Sequence, residues 1–341
     1  MKARLVVVGV AVLLAFVPLP AAFVERWYSR GIYASLQPVL TSASNHVPIA
    51  LIDVAAFLLL GTGIAVLVRR VRTIGTKRAL GRTAVSAMVA AAFTYLAFLI
   101  LWGFNYRRVP LFDKVDYDVS RVNGDAAYAL AAESVTAVNR EYVAASGQRF
   151  DPDRLAAAFR TSEQMLAPSA TVPGRAKRSV LGWYFSRAAI DGMTDPFFLE
   201  VILNPEVLEF ERPFVTAHEW AHLAGYADES EANFVAWLSC LRGDALARYS
   251  AGLSAYELAY RVLDRDARRR LPPLDEGPRS DLRRSAERYH RSSPVVRTVA
   301  RDVYDNYLKA NRVRAGVASY DLALRLMIGT RFEPGMRPVL R

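Results

Sequence analysis

The chain has 341 residues, 52% of them hydrophobic, with 44 Lys and Arg against 33 Asp and Glu for a net charge of +11. The apolar residues crowd before residue 105, which excludes an evenly built soluble domain and implies membrane spans ahead of a region large enough for its own core. A single cysteine, Cys240, excludes an intrachain disulfide and any cysteine-based metal site.

Three apolar stretches, residues 5–23, 47–68 and 83–106, each approach the ~20 residues a bilayer-crossing helix needs. The first holds Pro18 and Pro20, and its Ala21-Ala22 also suits a cleaved signal peptide. The second carries Asp53 near its outer end, where the carboxylate reaches the interface. Lys2 and Arg4 precede the first stretch. Arg69, Arg70, Arg72, Lys77, Arg78 and Arg82, with no acid among them, separate the second from the third. Basic residues favour the cytoplasmic side, so residues 24–46 are expected in an outer loop and the chain after about Arg107 outside the cytoplasm.

Residues 107–123 read as an irregular linker or first strand. A helix is expected over 124–145, and Asp151-Pro152 opens another that ends near Leu166, before a loop containing Pro and Ser. Arg178–Phe185 and Phe197–Leu203 read as strands joined by a turn at Asp191-Gly192, a hairpin whose edge could hold an extended peptide. Pro213 suits the first turn of a following helix and Gly225 its end; another helix is expected over 228–241. Residues 254–328 read as helical, broken at Pro272-Pro273, Gly277-Pro278 and Ser293-Pro294. The expected fold is mainly α with a small β-hairpin (α+β), preceded by three transmembrane α-helices. Residues 1–106 form the membrane region and residues 107–341 an extracytoplasmic domain.

The helix after Pro213 carries His218-Glu219-Trp220-Ala221-His222, which holds two of only four histidines. Positions i and i+4 share a helix face, so both imidazoles can reach one zinc ion, with Glu219 placed as general base. A catalytic zinc keeps three protein ligands and one open position, where it lowers the pKa of a water to roughly 7. Glu219 would deprotonate that water and carry the proton to a leaving amine, which is amide hydrolysis. Three acids follow as candidate third ligands. Asp228 and Glu231 have the spacing of a helix cap and its N3 partner, which leaves Glu229 as the first choice, with Asp228 and Glu231 as alternatives. Asn233, one turn beyond Glu229, could orient a ligand. Tyr226, Tyr304 and Tyr307 are candidate donors to a developing oxyanion. His46 and His290 lie in polar or charged surroundings that suit solvated surface. The basic stretch from Arg261 to Arg301 reads as a solvated face or as an attraction to anionic headgroups. No nucleic-acid-binding motif is present.

Three strings resemble a bacterial family of membrane proteins, the domain of unknown function 3810. They are W-G-F-N-Y-R-R at Trp102–Arg108, H-E-W-A-H-L-A-G-Y-A-D-E-S-E-A-N at His218–Asn233, and V-Y-D-N-Y-L-K-A-N at Val303–Asn311, followed by G-V-A-S-Y at Gly316–Tyr320. The resemblance implies N-terminal spans followed by a zincin-like domain. With the basic residues read as above, the expectation is a multi-pass protein of the bacterial cytoplasmic (inner) membrane with a cytoplasmic N-terminus. E-S-E-A-N-F-V-A from Glu229 is similar to a helix of M48-type gluzincin metallopeptidases, in which Glu229 takes a ligand place and Asn233 stands where that group has aspartate. The functional expectation is a membrane-anchored zinc metallopeptidase acting on a peptide or protein. The alternative is a non-catalytic metal-binding envelope domain that binds a peptide or protein partner.

Overall fold

The computed structural model describes residues 2–167, 170–311 and 320–341; Pro168 and Ser169 of the expected loop, and Gly316 to Ser319 of the last string, lie outside the described residues. Helix α1 (Lys2–Phe16) stops before Pro18 and Pro20. Each of these prolines lacks an N–H and disfavours helical geometry in the residue before it. Helical structure resumes through α2 (Ala21–Phe23), a π-helical stretch over Val24–Ile32 and α3 (Tyr33–Asn45). The two runs meet at 114°. A straight first span over 5–23 is therefore not formed.

Helices α4 (Leu51–Ile74) and α5 (Thr76–Leu101) are long and apolar enough to cross a membrane; the bent pair makes a third span only if its two arms are counted as one. Gly75, at φ +77°, joins them in a hairpin that carries the six basic residues at its tip. The last of the expected spans is helical to Leu101 rather than Tyr106, and a tight 3-10 stretch over Gly103–Arg107 follows.

The expected outer loop is helical and lies against the rest of the molecule. Tyr33, Gln37, Thr41 and Ser44 recur at helical spacing and are buried. Their side chains donate to carbonyls of Leu223 (2.8 Å), Val172 (2.8 Å) and Leu199 (2.9 Å), and to the Glu200 carboxylate (3.4 Å). A face this polar has no hydrophobic period, which is why the segment reads as loop.

The remainder is mainly helical. Helices α6 (Gly124–Ala145) and α7 (Pro152–Leu166) start where Asn123 and Asp151 accept from first-turn amides. Strand β1 (Ala176–Lys177) precedes α8 (Gly182–Ala188), which takes up the second half of the segment 178–185 expected as a strand. Gly182, Phe185 and Ala188 are buried at a spacing of three, so the aromatic run Trp183-Tyr184-Phe185 is one helical turn with a single inward face. Strand β2 (Gly192–Asp195), expected as turn, pairs antiparallel with β3 (Glu200–Leu203), and β1 pairs with β3 in parallel, so β2 is an edge. The hairpin exists, shifted toward the C-terminus.

Helices α9 (Arg212–Leu223) and α10 (Glu229–Cys240) pack together at the centre, and every residue of α10 is buried. Trp220, Leu223, Phe234 and Leu238 join Phe159 of α7 in the core. Around them run α11 (Ala245–Val262), α12 (Arg265–Arg270), α13 (Glu276–Arg291), α14 (Pro294–Ala310) and α15 (Tyr320–Gly329), with a last hairpin of β4 (Phe332–Glu333) and β5 (Arg337–Pro338). Breaks fall at Pro272-Pro273 and Ser293-Pro294 as expected. Gly277-Pro278 instead sits inside the first turn of α13, where proline costs no hydrogen bond.

Candidate functional site

Helix α9 sets His218 and His222 one turn apart, rings 4.7 Å between centroids. Gly225, at φ +81°, reverses the chain, and Asp228 starts α10 by accepting from Ser230 N at 2.8 Å. That turn returns Glu229 to the two imidazoles. Glu229 Oε2 lies 3.2 Å from His218 Nε2, Glu229 Oε1 lies 3.7 Å from His222 Nε2, and the two Nε2 atoms are 3.1 Å apart. These three donors form one group that could hold a metal ion.

The protons decide what that group can do. The Tyr226 carbonyl, 2.8 Å from His222 Nδ1, can only accept, so that nitrogen carries the hydrogen. Asn233 Oδ1, 3.0 Å from His218 Nδ1, accepts in the same way. In the tautomer with its hydrogen on Nδ1, each ring presents an Nε2 lone pair to the other. Glu229 Oε2 adds a third, since it is buried and makes no hydrogen bond among the described residues. Lone pairs pressed together repel unless a proton or a metal cation lies between them. The edges of 3.1, 3.2 and 3.7 Å match the roughly 3.3 Å that tetrahedral bonds of about 2.0–2.1 Å require. The donor set and its spacing fit one small divalent cation.

The two glutamates of the site are held in opposite states. Burial pushes the Glu219 carboxyl up to about 7, against the pull of His222 and the hydrogen bond from Thr194 Oγ1 (2.8 Å). Burial would also raise Glu229, but His218, His222 and Tyr304 outweigh it and hold that carboxyl at about 2. Strand β2 abuts Glu219: a Cβ on Gly192 would stand 2.6 Å from Glu219 Oε1.

The other candidates separate. Asp228 spends its carboxylate on the cap of α10. Glu231 accepts from Leu111 N and makes no reciprocal capping bond. Burial pushes its carboxyl up to about 7, opposed by that hydrogen bond and by Arg108. Tyr304 donates to Glu229 Oε1, and Tyr307 stacks on Tyr304 with its edge toward Phe98 and Tyr106. Tyr226 contributes its carbonyl rather than its hydroxyl; its ring lies 4.9 Å beneath the Arg108 guanidinium. His46 and His290 are exposed, away from the cluster.

Residues not singled out for the site hold it together. Trp102 Nε1 donates to the His222 carbonyl at 3.0 Å. Arg108 donates to the Gly225 carbonyl at 3.0 Å and to Glu25 at 3.0 Å, clamping the turn that presents Tyr226. Lys114 reaches the same Glu25 at 2.7 Å. The dense string Trp102–Arg108 is the one sequence signal for this clamp. Asp53, expected at the interface, accepts from Ser179 Oγ and Val180 N, both at 2.8 Å.

Neither the curated proteins nor the solved structures contain a match to this chain. The family model described as protein of unknown function DUF3810 matches residues 28–328, from within the π-helical stretch to the last turn of α15. The chain belongs to the DUF3810 family.

Proposed function

We propose that this protein is a membrane-anchored, zinc-dependent metallopeptidase with a zincin-like domain, of which Glu219 is the general base. The observation that supports it most is the convergence of His218 Nε2, His222 Nε2 and the Glu229 carboxylate, each imidazole fixed at Nδ1 by a carbonyl oxygen. Imidazoles oriented through their other nitrogen are characteristic of metal ligands. Bound there, zinc would supply Lewis acidity toward a peptide carbonyl and toward water.

The chain's own residues do the rest. Glu219, with its carboxyl raised toward 7, accepts a proton from the attacking water and returns it to the departing amine. Thr194 Oγ1 orients the carboxylate. The edge of β2 offers backbone groups to an extended substrate. Tyr304, beside Glu229, offers a hydroxyl to a developing oxyanion. Because that hydroxyl is bonded to Glu229 in this structure, the competing reading is a metal-binding domain that binds a peptide without cutting it.

By the positive-inside rule the basic tip between α4 and α5 belongs in the cytoplasm of a bacterium, and the site at the opposite ends of those helices belongs outside. The bent run of α1 to α3 is our candidate for a third membrane element.

Purified protein should carry about one zinc per chain, and the His218→Ala, His222→Ala double variant should carry none. Unchanged metal content in the double variant would end the zinc reading. Glu219→Gln should keep the metal and abolish cleavage of a peptide library. Wild type that binds peptides and cleaves none would favour the competing reading.

A further inference from the structure

Helix α14 carries an exposed apolar stripe, Val295, Val299 and Val303, on the face turned away from Tyr304 and Leu308. Val180, Leu181 and Trp183, just before and within α8, are exposed too; the six residues are 44–73% exposed. α8 and α14 are in contact, and Ser293 N donates to the Arg187 carbonyl at 2.9 Å where the two meet. An apolar surface of this size is costly in water.

Its place in the fold identifies what covers it. The α8 end of the surface is fastened to the head of α4. Asp53 accepts from Val180 N, Ile49 bridges Arg178, and Phe185 packs with Ala50 and Ile52. The far end of α14 is fastened to the tail of α5, with the rings of Tyr307 and Phe98 6.2 Å apart. α14, about 25 Å long, therefore bridges the head of one candidate span and the tail of the other on one side, at the level where those helices enter lipid. We propose that α14 and the α8 turn lie in the interfacial layer of the bilayer, with the valine stripe and Trp183 among the acyl chains. A helix with one apolar face lies in this way some ~5–10 Å into the headgroup boundary, and tryptophan favours the same layer. The inference rests on α4 and α5 crossing a membrane and needs no bound metal and no hydrolysis. Its consequence is that the helix covering Glu229 with Tyr304 is itself held by lipid, so the site opens beside the membrane surface.

The test uses full-length protein in phosphatidylcholine vesicles, with nitroxide labels on single introduced cysteines; Cys240 is fully buried and serves as the unlabelled background. Labels at Val299→Cys and Val303→Cys should collide with oxygen in preference to a water-soluble nickel chelate. Their oxygen-to-nickel ratio should be at least about threefold above that of Arg301→Cys, on the opposite flank, and should approach that of Leu59→Cys in the middle of α4. Agreement of the two valine positions guards against misfolding of either variant. Ratios equal to that of Arg301→Cys would place the stripe in water and overturn the proposal. Labels reached by neither reagent would mean that protein covers the stripe, which also overturns it.

Discussion

A backbone carbonyl cannot donate, and that limits what His222 can be. With Nδ1–H committed to Tyr226, its Nε2 is a lone pair aimed at Glu229 and at the Nε2 of His218. Asn233 does the same for His218 with a neutral amide oxygen, a weaker acceptor than a carboxylate would be. Asn233→Ala should weaken metal binding about 10- to 100-fold, measured by competition with a chromogenic chelator, and Asn233→Asp should recover or exceed the wild-type affinity. Gly192 matters for room. A methyl group there meets Glu219 Oε1 at 2.6 Å, so Gly192→Ala should reduce hydrolysis by at least about tenfold while metal content is unchanged. Loss of metal together with activity in Gly192→Ala would place its effect on the ligands and not on the base.

At the scale of elements, Glu200 on β3 does two jobs. Its carboxylate accepts from the buried Lys177 ammonium at 2.7 Å, and from the amides of Leu51 and Ile52 at 3.0 and 2.9 Å. Those two amides have no partner within the first turn of α4, and the N-cap Ala50 has no polar side chain to accept from them, so the sheet caps the helix. Glu200→Gln leaves the Lys177 charge buried without its partner and should cost about 3–5 kcal/mol, read from denaturant unfolding in detergent. A second change, Lys177→Met, should return part of that loss. Elements with local start and stop signals are legible in the sequence: the caps at Asn123, Asp151 and Asp228, Pro213 and Gly225 all mark boundaries of helices. The segment 178–185 is not. Its β-branched and aromatic residues suit a strand, but burial of Gly182, Phe185 and Ala188, with Phe185 against Ala50 and Ile52 at the head of α4, selects the helical period from Gly182 on.

Across the whole molecule, the basic hairpin tip and the site lie at opposite ends of α4 and α5. A phosphatase reporter fused after Arg341 should be active, since that enzyme folds only outside the cytoplasm; a fusion active only as a cytoplasmic reporter would invert the topology. The segment from Ala21 to Asn45 acts at this scale too. Glu25 receives Arg108 and Lys114, and Tyr33 reaches the end of α9, so the membrane-proximal helices form the back wall of the site.

The order of residues along the chain is enough to mark two helices apolar enough to cross a membrane, the basic tip between them and the histidine pair with its glutamate. Each is a matter of spacing within one helix or of charge within one loop. It also narrows the third donor to a run of four residues. Which acid reaches the imidazoles is settled by packing alone. Asp228 and Glu231 are drawn to the α10 amides and to Leu111, and Glu229 is left facing His218 and His222. Packing also supplies the partners from afar. Tyr304 is 75 residues from Glu229, and Trp102 is 120 residues from His222. Such contacts arise from how finished elements pack, and packing between distant segments leaves no period or spacing in the chain.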